Sequence, residues 1–270
     1  MQGPSRAAAK ASRDAFTGAL AAGADRSRLA DELFAVVALL DGNGTLRRAV
    51  ADPSREGSEK AQLVERLFSG KVSAESLVVL KGVAAQRWSS ERDLSDVIEA
   101  YAVESVIASA EAADRADRVE DELFRFERIV AADPALRAAL TDSQAPADKR
   151  ADLVSSLLHD KVAPETLVLA RQAVVASRGR RFDRGIGSYL ETASSRREQQ
   201  TAIVTSAVPL TDDDRARLAA GLASIYGGTV HVNTVVDPRV MGGVKVEIGD
   251  EVIDGSVIRK LDAARRAMGA

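Results

Sequence analysis

Asp31-Glu32-Leu33-Phe34 recurs as Asp121-Glu122-Leu123-Phe124, an offset of 90 residues. The same offset aligns Leu46-Arg47 with Leu136-Arg137, and Asp52 with Asp142. Leu63-Val64, Leu67 and Lys71-Val72 fall on Leu153-Val154, Leu157 and Lys161-Val162. Glu75, Leu77 and Val78 fall on Glu165, Leu167 and Val168. From 31 to 80, 17 of 50 positions are identical without a gap. After a two-residue shift, Leu94, Ile98 and Tyr101 match Phe182, Ile186 and Tyr189. A period of this length marks a duplicated structural unit.

Each copy reads as helices. Leu29, Leu33, Val36, Val37 and Leu40 lie at helical spacing, and Gly42-Asn43-Gly44 stops that helix. Leu63, Val64, Leu67 and Phe68 form a second stripe, closed by Gly70. Ser73 caps a helix carrying Leu77, Leu80, Val83 and Ala84. Leu94, Val97, Ile98, Tyr101 and Ser105 mark a longer one. An extra Ala-rich helix, Ala7 to Ala22, precedes all of these. Residues 1–105 are therefore expected to form one helical bundle, and 106–193 the duplicated bundle. The first helix of the second continues from the last helix of the first.

Near Ser194 the pattern changes. Ala202 to Val208 is a β-type run ended by Pro209. Thr211 and Asp214 form a capping box for a helix with Leu218, Leu222, Ile225 and Tyr226, closed by Gly227-Gly228. Val230, Val232, Thr234 and Val236 alternate with polar residues, as do Val244, Val246 and Ile248. Gly249-Asp250 is a hairpin signal, and Asp254 a cap for a final helix with Val257, Ile258, Leu261 and Ala264. The expected fold class is α+β: two tandem all-α bundles, then a small βαββα domain over 194–270.

Composition excludes several chemistries. The 270 residues contain no Cys and only two His, His159 and His231. Thiol nucleophiles, Cys-based metal sites and His-rich metal sites are ruled out. Neither His has a Ser or Asp in a triad context. A net charge of −3 argues against binding nucleic acid through a broad basic face. Gly70-Lys71 lacks the preceding Gly and the following Ser or Thr of a phosphate loop, and its second copy reads Asp160-Lys161. Arg178, Arg180, Arg181 and Arg184 read as a solvated basic cluster. The longest strongly apolar run, Leu33 to Leu40, is too short for a membrane span, and no apolar targeting region opens the chain. No catalytic residue, cofactor or metal is expected.

One cluster resists a purely local reading. Gly242-Gly243, Gly249-Asp250, Ile253 and Asp254-Gly255-Ser256 punctuate a strand, a turn and a helix start, with Leu261 beyond. This segment resembles the C-terminal signature of the delta subunit of F-type ATP synthases, called the oligomycin-sensitivity-conferring protein in mitochondria. Ala15-Phe16 and Ala19-Leu20 are similar to the family's first helix, although its Tyr-Ala opening is Ser12-Arg13 here. The doubled bundle resembles the enlarged actinobacterial form.

The resemblance implies a non-catalytic protein of the peripheral stalk. Its helical part would bind the N-terminal helices of the alpha subunits of the catalytic head, with the beta subunits as a further contact. Its C-terminal domain would bind the stalk's b subunit. It would be present once per complex, with no homo-oligomer, at the cytoplasmic face of the cell membrane and touching the membrane only through the complex. Candidate residues for the contact with the alpha subunits are Phe16, Leu20, Leu77, Leu80 and Val83 in the first copy, and Leu167, Val168 and Val174 in the second. Two alternatives are a free-standing helical-repeat adaptor and a metal enzyme using Asp250 and Asp254.

Overall fold

The computed structural model describes residues 3–142, 144–176, 182–199, 201–226, 230–240, 242–249 and 251–254. The chain divides into two compact units, 1–193 and 194–270.

The first unit is helical. It comprises α1 (Gly3–Ala21), α2 (Arg26–Gly42), α3 (Gly44–Ala51), α4 (Gly57–Phe68), α5 (Ala74–Ala85) and α6 (Glu91–Ala112). Then follow α7 (Ala116–Ala132), α8 (Pro134–Thr141), α9 (Ala147–Leu158), α10 (Pro164–Val175) and α11 (Phe182–Gln199), the last running past the unit's end. Helices α2 to α5 and α7 to α10 begin and end at positions 90 residues apart. The punctuation explains the breaks. Asn43 closes α2 with its backbone N–H on the Leu40 carbonyl, and its side chain accepts from Leu46 N at 3.0 Å to open α3. Asp133 opens α8 in the same way, accepting from Leu136 N at 3.0 Å. Ser73 accepts from Ser76 N at 3.2 Å, as an N-cap should.

Helix α6 serves both copies. The sequence boundary at 105/106 falls inside it. Most surface helices bury one stripe. Helix α7 does so with Val119, Leu123, Phe126 and Val130. Helix α6 instead buries residues on every face, Val97, Tyr101, Val103, Val106 and Ile107 among them. It packs on α1, α2, α3 and α5 of the first copy and on α7 and α10 of the second. One continuous apolar core runs from Ala8 to Tyr189.

Polar anchors repeat with the fold. The Tyr101 hydroxyl lies 3.1 Å from the Ala9 carbonyl and 2.9 Å from Ser12 Oγ. In the second copy Tyr189 donates to Glu99 at 3.1 Å, and Glu99 stands 90 residues after Ala9. Glu32 accepts from the Ser73 N–H at 2.8 Å and the Ser73 hydroxyl at 2.7 Å. Glu122 accepts from the Ala163 N–H at 2.8 Å and the Thr166 hydroxyl at 2.6 Å. Each carboxylate thus sits at the positive end of the fourth helix after the repeat's start. Arg28 and Arg118 pair with these same carboxylates at 2.8 and 2.7 Å.

The copies diverge in their last helices. Val103, Val106 and Ile107 of α6 are buried, whereas 88 residues on stand Glu191, Ser194 and Ser195 of α11. In step with this, Phe34 of α2 is 8% exposed and Phe124 of α7 is 52% exposed.

The second unit holds β1 (Thr201–Ser206), α12 (Asp212–Tyr226), β2 (His231–Val236), β3 (Val244–Ile248) and β4 (Glu251–Asp254). The sheet order is β2-β1-β3-β4. Strands β1 and β2 are parallel, joined by the α12 crossover; β1/β3 and β3/β4 are antiparallel. Ala202, Val204, Val246 and Ile248 form the buried sheet face beneath Leu222. Thr211 caps α12, accepting from Asp214 N at 3.2 Å. The fold class is that read from the sequence, with one addition. Val252-Ile253 belong to a fourth strand, β4, rather than to a link between turn and helix. Glu251-Val252-Ile253-Asp254 does not alternate apolar with polar residues, so it shows no period-two pattern. The final helix expected after Asp254, and Gly227-Gly228, lie outside the described residues.

The shared carboxylate device is testable. Partial burial pushes the Glu32 carboxyl up, but hydrogen bonds from Ser76, Ser73 and Arg28 outweigh it and hold it at about 2, against 4.5 unperturbed. A depressed folded pKa stabilises above the unfolded value, and that stabilisation is lost as pH falls from about 4.5 toward 2. Glu32→Gln should lower stability at neutral pH by about 1–3 kcal/mol. It should also flatten the acid-induced loss in that window, as followed by urea titrations at several pH values.

Candidate interaction surfaces

The candidate head-contact residues fall into two groups. Phe16, Leu20, Leu80, Val83 and Val174 are enclosed by the chain's own core, none more than 3% exposed. Leu77, Leu167 and Val168 are half-buried and lean on that core. Phe16 stacks on Tyr101 with ring centroids 4.5 Å apart. The Arg13 guanidinium lies 5.6 Å from the Phe16 centroid and 5.9 Å from that of Tyr101, and is bidentate to Glu104 at 2.6 Å. Phe16 is therefore an internal anchor of α1 on α6. The surface of the free chain does not present these five side chains, because helical spacing selects the inward face and cannot separate core from contact.

The surface offers other apolar residues. On α5, Val78 is 53% exposed, one residue beyond Leu77. Helix α1 leaves Ala7, Ala11, Asp14 and Gly18 exposed. The two helices approach closely where a Cβ on Gly82 would lie 2.6 Å from the Ala15 Cβ. Ninety residues on from Ala7, Ala11, Asp14 and Gly18 stand Val97, Tyr101, Glu104 and Ala108 of α6, all buried. The free face of α1 thus has no free counterpart in the second copy. Val78 carried no sequence signal apart from its match to Val168, since it sits on the outward side of an otherwise apolar helix.

In the second unit, three of the signature glycines occupy the left-handed region: Gly242 at φ 69°, Gly243 at φ 77° and Gly249 at φ 53°. Gly249 opens the β3–β4 turn, between Ile248 and its partner Glu251. Ile253 pairs with Val246, and Asp254 ends β4 opposite Lys245. Asp250, Gly255, Ser256 and Leu261 lie outside the described residues. The outer sheet face aligns Asn233, Ile203, Glu247 and Val252 in one row across four strands. Ile203, Val235 and Val252 on that face are between 42% and 54% exposed.

The other residues singled out in the sequence are placed as follows. Gly70 has φ 72° and ends α4; its counterpart Asp160 holds the same left-handed turn at φ 60°. His159 caps α9 and lies 2.9 Å from the Asp160 carboxylate at an exposed helix end. His231 is exposed at the start of β2. Arg178, Arg180 and Arg181 lie outside the described residues; Arg184 is in α11. Among the described residues no group of three or more His, Asp or Glu could hold a metal ion. Nor is any described helix long and apolar enough to cross a membrane.

The described chain is thus a helical repeat followed by a small mixed-sheet unit, with apolar side chains exposed on both. The protein-family model for the ATP synthase delta (OSCP) subunit matches residues 97–268, from within α6 onward. "ATP synthase subunit delta" of Kineococcus radiotolerans is 48% identical over 248 residues, covering 92% of this chain and 90% of the relative. The protein of that name from Streptomyces avermitilis is 44% identical over 271 residues, covering 99% and 98%. That from Streptomyces coelicolor is 42% identical over 273 residues, covering 100% and 99%. The chain belongs to the ATP synthase delta (OSCP) family.

The Gly82–Ala15 approach makes a sharp prediction. Gly82→Val must push α1 away from α5, so stability should fall by about 1–3 kcal/mol. Denaturant titration followed by Trp88 fluorescence measures this, and an unchanged midpoint would mean that the close approach carries no constraint.

Proposed function

We propose that the chain is the non-catalytic stator component of an F-type ATP synthase, supporting proton-driven ATP synthesis by joining head to stalk. The near-full-length similarity to proteins named ATP synthase subunit delta carries this reading. The helical unit holds the N-terminal helices of the alpha subunits, with the beta subunits as a further contact, and the C-terminal unit holds the b subunit. One copy serves each complex, on the cytoplasmic face of the membrane, and reaches the bilayer only through its partners. The role fits the physics: a part that must resist rotor torque needs packed helices and broad contacts rather than a reactive pocket.

Within this reading the first copy holds the N-terminal helix of alpha. An amphipathic helix laid into a groove needs an open helix face. Helix α1 keeps one and packs against α5, the helix that carries Leu77 and Val78, whereas the corresponding face of α6 is covered. Leu167 and Val168 then serve the second copy's own packing. Gly249 shapes the β3–β4 turn of the b-binding unit, and Gly242-Gly243 lead into β3.

A pull-down with two peptides, the N-terminal segment of alpha and the C-terminal segment of b, tests both claims. Both peptides should be retained at micromolar concentration, and retention of neither would sink the stator reading. Val78→Asp should weaken binding of the alpha peptide by roughly tenfold or more and leave the b peptide unaffected. Should Val168→Asp have that effect instead, the second copy is the head-binding one.

A further inference from the structure

We infer that the two helical copies form one cooperative body, so that the duplication lengthens the protein without introducing a joint. This rests on the chain alone and holds whatever its partners are. A duplicated domain ordinarily arrives with its own core and a linker, and the two copies then open separately. Here the second copy has no first helix of its own. Helix α6 closes the first copy, where its Tyr101 meets Ala9 and Ser12 and its Glu104 meets Arg13. The same helix opens the second copy, where its Glu99 receives the Tyr189 hydroxyl.

Unfolding the second copy alone would strip one side of α6. Buried apolar side chains would meet water and Glu99 would lose its Tyr189 contact. Unfolding the first copy alone would do the same from the other side. Neither half has a low-cost way to open by itself, because the shared helix cannot be native for one and solvated for the other. Contact continues along the whole body, in a single core from Ala8 to Tyr189.

The chain supplies its own probe. Trp88 is its only tryptophan, 3% exposed, with its indole N–H on the Val83 carbonyl at 2.9 Å. It reports the first copy. Leu169 on α10 is fully enclosed in the second. In the full chain, Leu169→Ala should move the urea midpoint of the Trp88 signal downward. Amide exchange in α9 and α10 should accelerate with it, by roughly tenfold or more. Faster exchange in α9 and α10 with an unmoved Trp88 midpoint would show separate melting and overturn the inference. Leu169→Val, a milder change, gives the same two outcomes should the alanine variant fail to accumulate. The reciprocal variant Leu80→Ala, in the first copy's core, should accelerate exchange in α9 and α10; unchanged exchange there would also overturn it.

Discussion

Everything in the helical unit depends on a helix whose middle, residues 101–108, is buried on every face. A helix buried on all faces is ordinarily apolar all round, yet α6 carries Glu99, Tyr101, Glu104 and Ser105 inward. Buried polar groups are tolerated where they are paired. Tyr101 meets Ala9 and Ser12, Ser105 donates to the Tyr101 carbonyl at 2.8 Å, and Glu104 grips Arg13. The Tyr101 and Glu104 contacts fix α1 against α6 at one register. An apolar surface alone would allow sliding by a turn. The aromatic stack of Phe16 on Tyr101, roofed by Arg13, adds shape to the same choice.

The two copies keep different parts of their common plan. The carboxylate that caps the fourth helix is retained with its Arg partner in both, although the residues it binds change from Ser73 to Ala163 and Thr166. The constraint lies in the helix end that needs an acceptor, and a backbone N–H plus any hydroxyl meets it. Burial itself is retained less faithfully. Phe34 and Phe124 are the same residue at the same repeat position, and one is core while the other is surface. Identity between copies therefore carries the chain path further than it carries the environment.

That distinction sets how much was legible beforehand. The repeat, the helix breaks at Asn43 and Gly70, the cap at Ser73 and the change near Ser194 were readable, because periodicity and turn chemistry are local properties. The Gly249 turn was readable for the same reason. Strand β4 was not, because its four residues borrow their shape from pairing with β3. Surface exposure was harder still. Phe16 and Val83 lie on an apolar stripe and are core, whereas Val78 lies off the stripe and is exposed. A stripe reports what a helix buries in its own chain, and a contact surface is made from what is left over. Signature residues beyond Asp254 lie outside the described residues.

Helix α11 gives the repeat an end as well as a sequence. An array that shares helices can grow only if its final helix is apolar enough to begin another copy. Glu191, Ser194 and Ser195 replace the buried Val103, Val106 and Ile107 of α6, so α11 cannot play that part. Solenoid proteins close their arrays with terminal repeats of polar outer face, which keep the stack finite and soluble. Here polar side chains of that kind, Glu191, Ser194 and Ser195, stand within a single helix, at the positions where α6 is buried and apolar.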